Sequence, residues 1–161
     1  MTRQSFEKGR PSAGGGGAAR QGQPGAGQTA EPGSSGNEKW IEQILDGDMR
    51  ALVDHAEKIA RDELLADRHN KVTTSQIRNI FGMVKRLEMN REDPAAYQQL
   101  ILIKPKLAYI AGRHDKVSGL KYLRNVLGKA IDLVGVDTVR FQNFCRFFEA
   151  ILAYHKAHGG N

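Results

Sequence analysis

Hydrophobic residues recur every three or four positions from residue 37 almost to the end of the chain. This spacing places apolar side chains on one face of an α-helix. No stretch alternates apolar and polar residues with a period of two, and hairpin dipeptides are absent. The pattern predicts an all-α fold, a compact bundle of five to six helices, with helical segments at 37–47, 48–67, 73–89, 93–113, 118–135 and 137–160.

Residues that favour helix ends stand at the borders of these segments. Asp48, Thr73, Asp93 and Asp137 each precede a periodic run, and short polar side chains at that position accept bonds from free backbone N–H groups. Gly47 follows the first run, where glycine commonly ends a helix. We therefore expect helices to begin or end at these residues.

The predicted apolar faces indicate which residues form the core. The second segment should bury Met49, Leu52, Val53, Ala56, Ile59 and Ala60, and the fourth Tyr97, Leu100, Ile101, Ala108 and Ala111. The last segment is apolar on more than one side, since Phe147 and Tyr154 lie beside the face formed by Phe141, Phe144 and Phe148. Such a helix is either central in a bundle or docks on another protein, and we favour the central position.

Residues 1–36 differ from the rest of the chain. They contain ten of the eighteen glycines, and Phe6 is their one large hydrophobic residue apart from Met1. Such a segment cannot bury enough apolar surface to offset its ordering entropy. We expect a disordered Gly-rich tail at 1–36 and a helical domain at 37–161.

The chain is basic, with a formal net charge of +6 and a pI of about 9.6. This charge fits an acidic partner such as nucleic acid, although a basic protein without such a partner is equally compatible with it. The start has no signal-peptide core, and no stretch nears the roughly 20 apolar residues that span a bilayer, so we expect no membrane association. The single cysteine excludes an intrachain disulfide and fits a cytoplasmic location.

Pairs of basic residues recur at helical spacing. Lys106 and Arg113 are seven apart, as are Arg78 and Lys85, and residues seven apart nearly coincide around a helix. Lys121 and Arg124, three apart, are neighbours on the fifth segment. These stripes could follow a sugar-phosphate backbone with little sequence preference, or they could simply be solvated helix faces.

Lys104 differs from the other basic residues because it falls at the centre of the predicted apolar face. Pro105, which follows it, removes a backbone donor and should bend the helix. The bend could turn Lys104 toward a ligand groove. Alternatively, Lys104 extends its apolar stem over Leu100 and Ile101 while its charge stays in water.

Enzymatic patterns are weak. His114–Asp115 is a metal-hydrolase dipeptide in a predicted loop, and His155 and His158 are three apart without a carboxylate or cysteine paired to them in sequence. A histidine in the last turn of a helix is more simply favoured by the helix dipole. Cys145 should lie in the core, Glu149 has no acid–base partner, and no phosphate-binding glycine fingerprint occurs. We predict no catalytic residue, no metal site and no cofactor.

Three motifs together indicate a family. "TTSQIRNIF" at 73–81, "KPKLAYIAGR" at 104–113 and "FFEAILAYHKAHGG" at 147–160 resemble the small helical subunit of type III-A CRISPR (Csm) effector complexes, and the likeness covers about 40–160.

The resemblance implies a non-catalytic bundle that stacks in several copies along a filament of backbone subunits. It implies contacts with guide and target RNA through basic residues, without reading sequence, while neighbouring backbone and large subunits carry out the reactions. Base pairing then supplies the specificity. On the matching motifs it implies RNA-facing roles for Arg78, Lys104, Lys106 and Arg113; Lys85, Lys121 and Arg124 are added from helical spacing alone.

Two alternatives remain. One is a free-standing helical nucleic-acid-binding regulator, which would need a recognition helix with base-reading side chains. The other is a scaffold that binds only proteins.

Overall fold

A computed structural model of the chain describes residues 39–93 and 95–161. The predicted tail at 1–36 lies outside these residues. Within them the backbone is helical and contains no strand, which confirms the all-α fold. The elements are α1 (Lys39–Leu45), α2 (Met49–Lys58), a π-helical segment (Ile59–Leu64), α3 (Thr74–Met89), α4 (Ala95–Ile101), α5 (Ile103–Arg113), α6 (Ser118–Val134) and α7 (Thr138–Ala157).

The helix ends follow the predicted capping residues. Asp48 Oδ1 accepts from Ala51 N at 2.9 Å, and Asp137 Oδ1 accepts from Val139 N at 2.8 Å. Thr73 exchanges hydrogen bonds with Gln76 in a capping box at the start of α3. Asp93 Oδ1 accepts from Ala95 N at 2.8 Å.

Helix α7 is the centre of the bundle. It packs against α1, α2, the π-helical segment, α3 and α6. Phe141, Phe144, Phe147 and Phe148 are all buried, although they occupy different sides of the helix. Trp40 of α1 lies edge-on to Phe147, and Phe81 of α3 lies edge-on to Phe148. The prediction that the last helix is central is thereby confirmed.

The predicted core of the fourth segment is wrong in part, because the helix breaks. Helix α4 ends at Ile101 and α5 begins at Ile103, so the apolar face restarts in a new register. Pro105 explains the break: it has no N–H to donate to the Ile101 carbonyl, and its ring would clash with that group in a continuous helix. The buried residues are Ala96, Leu100, Ile103, Leu107 and Ala111, while Ile101 and Ala108 are exposed.

The second segment also differs from its prediction. Met49 and Val53 are each 42% exposed, so the buried face of α2 is narrower than expected. The helix continues beyond Lys58 as the π-helical segment, which widens the turn and keeps Ile59, Ala60 and Leu64 buried.

Two segments approach each other closely at Gly119, near the start of α6. A Cβ atom there would lie 2.7 Å from Val72 Cγ2 and 2.8 Å from the Glu63 carbonyl oxygen. Only a glycine fits, and this contact brings the loop before α3 to the start of α6.

We expect Gly119→Ala to destabilise the protein by about 1–3 kcal/mol, because the added methyl group meets backbone as well as side chain. Gly82→Ala is the matched control, since Gly82 is also within a helix but has no atom within 4 Å of its Cβ position. That change should stabilise α3 by up to about 1 kcal/mol. Denaturant unfolding followed by the fluorescence of Trp40, the single tryptophan, measures both. Equal stability of the two variants would contradict the packing at Gly119.

His155 is completely buried, and its Nε2 lies 2.8 Å from the Val72 carbonyl oxygen. Burial lowers its pKa below the ordinary 6.5, an effect only partly opposed by that carbonyl. Burial and Lys58 also lower the pKa of His55, which stacks on Trp40 at 4.2 Å.

Because the unfolded chain binds these protons more readily than the folded one, stability should be full above pH 6.5 and should fall as the pH drops below it. We expect the Tm to decrease between pH 7.5 and pH 5.5, and we expect His155→Gln and His55→Gln each to reduce that decrease. A wild-type Tm that is constant over this range, or a decrease unchanged in both variants, would refute the assignment.

Candidate RNA-contacting surface

Five of the seven predicted RNA-binding residues lie on the hairpin formed by α5 and α6. Lys104, Lys106 and Arg113 belong to α5, and Lys121 and Arg124 belong to α6. A short turn at 114–117 joins the two helices, which pack closely against each other. The remaining two residues, Arg78 and Lys85, lie on α3.

Lys104 forms an ion pair between the two helices of the hairpin. Its Nζ lies 2.6 Å and 2.7 Å from the two carboxylate oxygens of Asp132, near the end of α6. A Cβ added to Gly128 would come within 3.9 Å of Lys104 Cε. The side chain is 37% exposed, so Lys104 is half-buried along the α5–α6 groove instead of at the centre of the apolar face.

Lys106 and Arg113 lie on the other flank of α5. Relative to the buried Leu107, Lys104 is turned by about 60° toward α6, whereas Lys106 and Arg113 are turned by about 100–120° in the opposite sense. Both are exposed. The seven-residue spacing therefore does bring this pair to one exposed flank, as the sequence predicts.

Lys121 and Arg124 border the groove from the α6 side. Lys121, Arg124, Gly128 and Asp132 follow one another at spacings of three and four residues, so they form one stripe. The end of this stripe meets Lys104 of α5. Lys121 and Arg124 are exposed, and the guanidinium of Arg124 donates to Asn125 Oδ1 at 3.1 Å and 3.2 Å.

The α3 pair faces α7 and is separate from the hairpin cations. Lys85 Nζ lies 2.8 Å from Glu88 Oε2, 3.8 Å from Glu149 Oε2 on α7 and 5.8 Å from the centre of the Phe81 ring. The Glu88 carboxylate raises the pKa of Lys85. Arg78 is exposed on the same side of α3, two turns earlier. The charge of Lys85 is therefore largely balanced within the fold, whereas no carboxylate among the described residues pairs with Arg78.

Three exposed basic residues near the hairpin were missed from the sequence. Lys116 lies in the α5–α6 turn, and Arg68 and Lys71 lie in the loop before α3. The contact of Val72 with Gly119 brings that loop to the start of α6. Helical spacing could not reveal them, because loop residues have no periodicity. Of the three, only Lys116 could have been suspected from the sequence, because it lies in the predicted turn between two basic helices.

The histidines do not converge. His155 contacts the Val72 carbonyl, whereas His158 Nε2 lies 3.3 Å from Glu57 Oε1. Burial of His155 replaces the helix-dipole interpretation made from the sequence. In the described part of the chain, no group of three potential metal ligands occurs. Cys145 is buried as predicted, and burial raises the pKa of its thiol to about 12.

No helix in the described residues is long and apolar enough to cross a membrane. The fold and the surface together define a class: a small, all-α domain with cationic outer helices. The type III-A Csm2 family model matches residues 46–161. The Csm2 protein of the CRISPR system of Streptococcus thermophilus is 30% identical over 114 residues, which cover 66% of this chain and 92% of that protein. No solved structure matches significantly.

The chain belongs to the Csm2 family and is a small subunit of a type III-A CRISPR complex. The family match confirms the resemblance inferred from the three sequence motifs. Its members are structural subunits that function with other Csm subunits.

We expect Lys104→Ala to change stability by about 1 kcal/mol or less, because an exposed ion pair contributes little. Asp132→Asn should have an effect of similar size, and the double variant should cost no more than the larger single change if the two residues act through their pair. Chemical unfolding of the four proteins provides the measurement. A loss above about 3 kcal/mol for Lys104→Ala would instead indicate a buried charge pair.

Proposed function

We propose that this protein is a non-catalytic small subunit of a cytoplasmic ribonucleoprotein that acts in antiviral defence. Several copies stack along the complex, and each binds the sugar-phosphate backbones of guide and target RNA. Its partners are guide RNA, target RNA, backbone and large subunits, and further copies of itself. The observation that carries the proposal is the set of exposed cations on the α5–α6 hairpin. Within the described residues, Lys106, Arg113, Lys121 and Arg124 pair with no carboxylate.

The exposed cations of the hairpin are not arranged to read base edges, and this supports contact with phosphates instead. Lys and Arg on a convex helix surface neutralise phosphates and release counterions whatever the sequence. A subunit that must hold any target paired to any guide requires this kind of contact, because base pairing supplies the specificity.

The packing supports a structural role. The central phenylalanines of α7 give one continuous core, and a rigid block suits repetition along a periodic duplex. The separated histidines and the buried, high-pKa thiol of Cys145 offer no converging nucleophile and base. Neighbouring subunits would then perform all chemistry.

The two alternatives predict different behaviour. A regulator would read base edges with a protruding recognition helix, whereas the exposed cations here flank a packed hairpin. A protein scaffold would keep its assembly and its RNA when the cations are removed.

We expect the triple variant Arg78→Ala, Lys106→Ala, Arg113→Ala to assemble normally but to lose target-RNA affinity in the complex. For a single-stranded target, the log–log salt slope should fall by roughly 0.7 for each phosphate contact removed. Binding titrations between low salt and ~200 mM salt measure both quantities.

The matched control is Lys39→Ala, Arg50→Ala, Lys58→Ala, which removes equal charge from α1 and α2, outside α3 and the hairpin. This control should keep the wild-type slope. Normal target protection by the first triple variant at ~200 mM salt would disprove the RNA-facing role. Comparing the Arg78→Ala variant with the Lys106→Ala, Arg113→Ala double variant separates the contribution of α3 to RNA affinity from that of the hairpin.

A further inference from the structure

Tyr109 stands apart from the other tyrosines. Tyr97 donates or accepts a 2.6 Å hydrogen bond with Thr138, and Tyr122 and Tyr154 pack against the core. Tyr109 is 67% exposed, and within the described residues it has no hydrogen bond and no ring contact. An aromatic ring left in water forgoes much of the burial that usually stabilises it, so a partner is the natural explanation.

The surroundings of Tyr109 combine cations with open space. On α5, Lys106 lies one turn before it and Arg113 one turn after it, both turned by about 40–60° to one side. Pro105 and Gly112 lie at a similar angle on the other side, and nothing is within 4 Å of the Gly112 Cβ position. The ring therefore has cations along one flank and a surface poor in side chains along the other.

The open flank leads to the second basic stripe. Lys104 marks the side of α5 that meets α6, and Pro105 and Gly112 lie between Lys104 and Tyr109 around the helix. Across the groove, Lys121 and Arg124 border α6. Tyr109 thus lies on the exposed side of α5, with Lys106 and Arg113 on one side of it. Lys121 and Arg124 of α6 lie across the groove on the other side.

We propose that Tyr109 is a stacking platform for an unpaired RNA base, while the flanking cations hold the adjoining phosphates. Aromatic side chains within a cationic surface bind single strands this way, and the contact is tolerant of sequence because every base has a π face. The role rests on the proposed RNA binding and adds a base contact to it. The surface would therefore favour strand positions at which a base is not paired.

The test uses the full chain and two probes of equal length: an oligouridylate and the same ribose-phosphate chain without bases. Tyr109→Phe keeps the ring, and Tyr109→Leu keeps apolar bulk without it. We expect wild type and Tyr109→Phe to bind oligouridylate about tenfold more tightly than Tyr109→Leu, from the usual strength of base stacking. All three should bind the base-free chain equally, with the same salt slope.

Met89→Leu is the control for an exposed apolar side chain elsewhere, since Met89 is 81% exposed at the end of α3, and it should bind as wild type does. Equal binding of oligouridylate by all four proteins, with a normal salt slope, would overturn the stacking role and leave the backbone contacts standing. Failure of the wild-type chain to bind either probe at low salt would count against the proposed function itself and remove the stacking role with it.

Discussion

The fold depends on burying a helix that is apolar on more than one side. Four phenylalanines of α7 are fully buried, and they can leave water together only if other helices surround them. Helices α1, α2, α3 and α6 and the π-helical segment do so. Polar contacts then fix the orientation: Asn143 Nδ2 donates to the Leu45 carbonyl at 2.9 Å, and Arg140 Nε donates to Asp46 at 2.9 Å.

This arrangement explains where the charge lies. Helix α7 occupies the centre, and α5, which packs against α3, α4 and α6 but not against α7, lies outside it. Lys104 and Asp132 pair at one end of the hairpin, and its exposed flanks carry cations that have no carboxylate partner in the described part of the chain. A single hydrophobic constraint thereby produces both a rigid block and a cationic outer surface.

Much of this could be predicted from the chain because its information is local. Helix periodicity and the capping chemistry of Asp48, Thr73 and Asp137 act within one turn, so their consequences can be predicted without the rest of the fold. The spacing of Lys106 and Arg113 likewise placed them on one exposed flank. The predicted core of the fourth segment was wrong because Pro105 broke the helix at Leu102 and restarted its register, three residues earlier than a bend at the proline itself.

The sequence by itself determined the helical class, most helix ends, the family and which residues carry positive charge. Only the tertiary structure decided that Lys104 is paired with Asp132 of another helix, and that Glu149 of α7 joins the local partner Glu88 beside Lys85. The tertiary structure also decided that the side chain of Tyr109 is exposed, whereas Tyr97 forms a hydrogen bond with Thr138 of α7. The physical reason is that exposure and ion pairs between helices are set by contacts between elements, which no local pattern encodes.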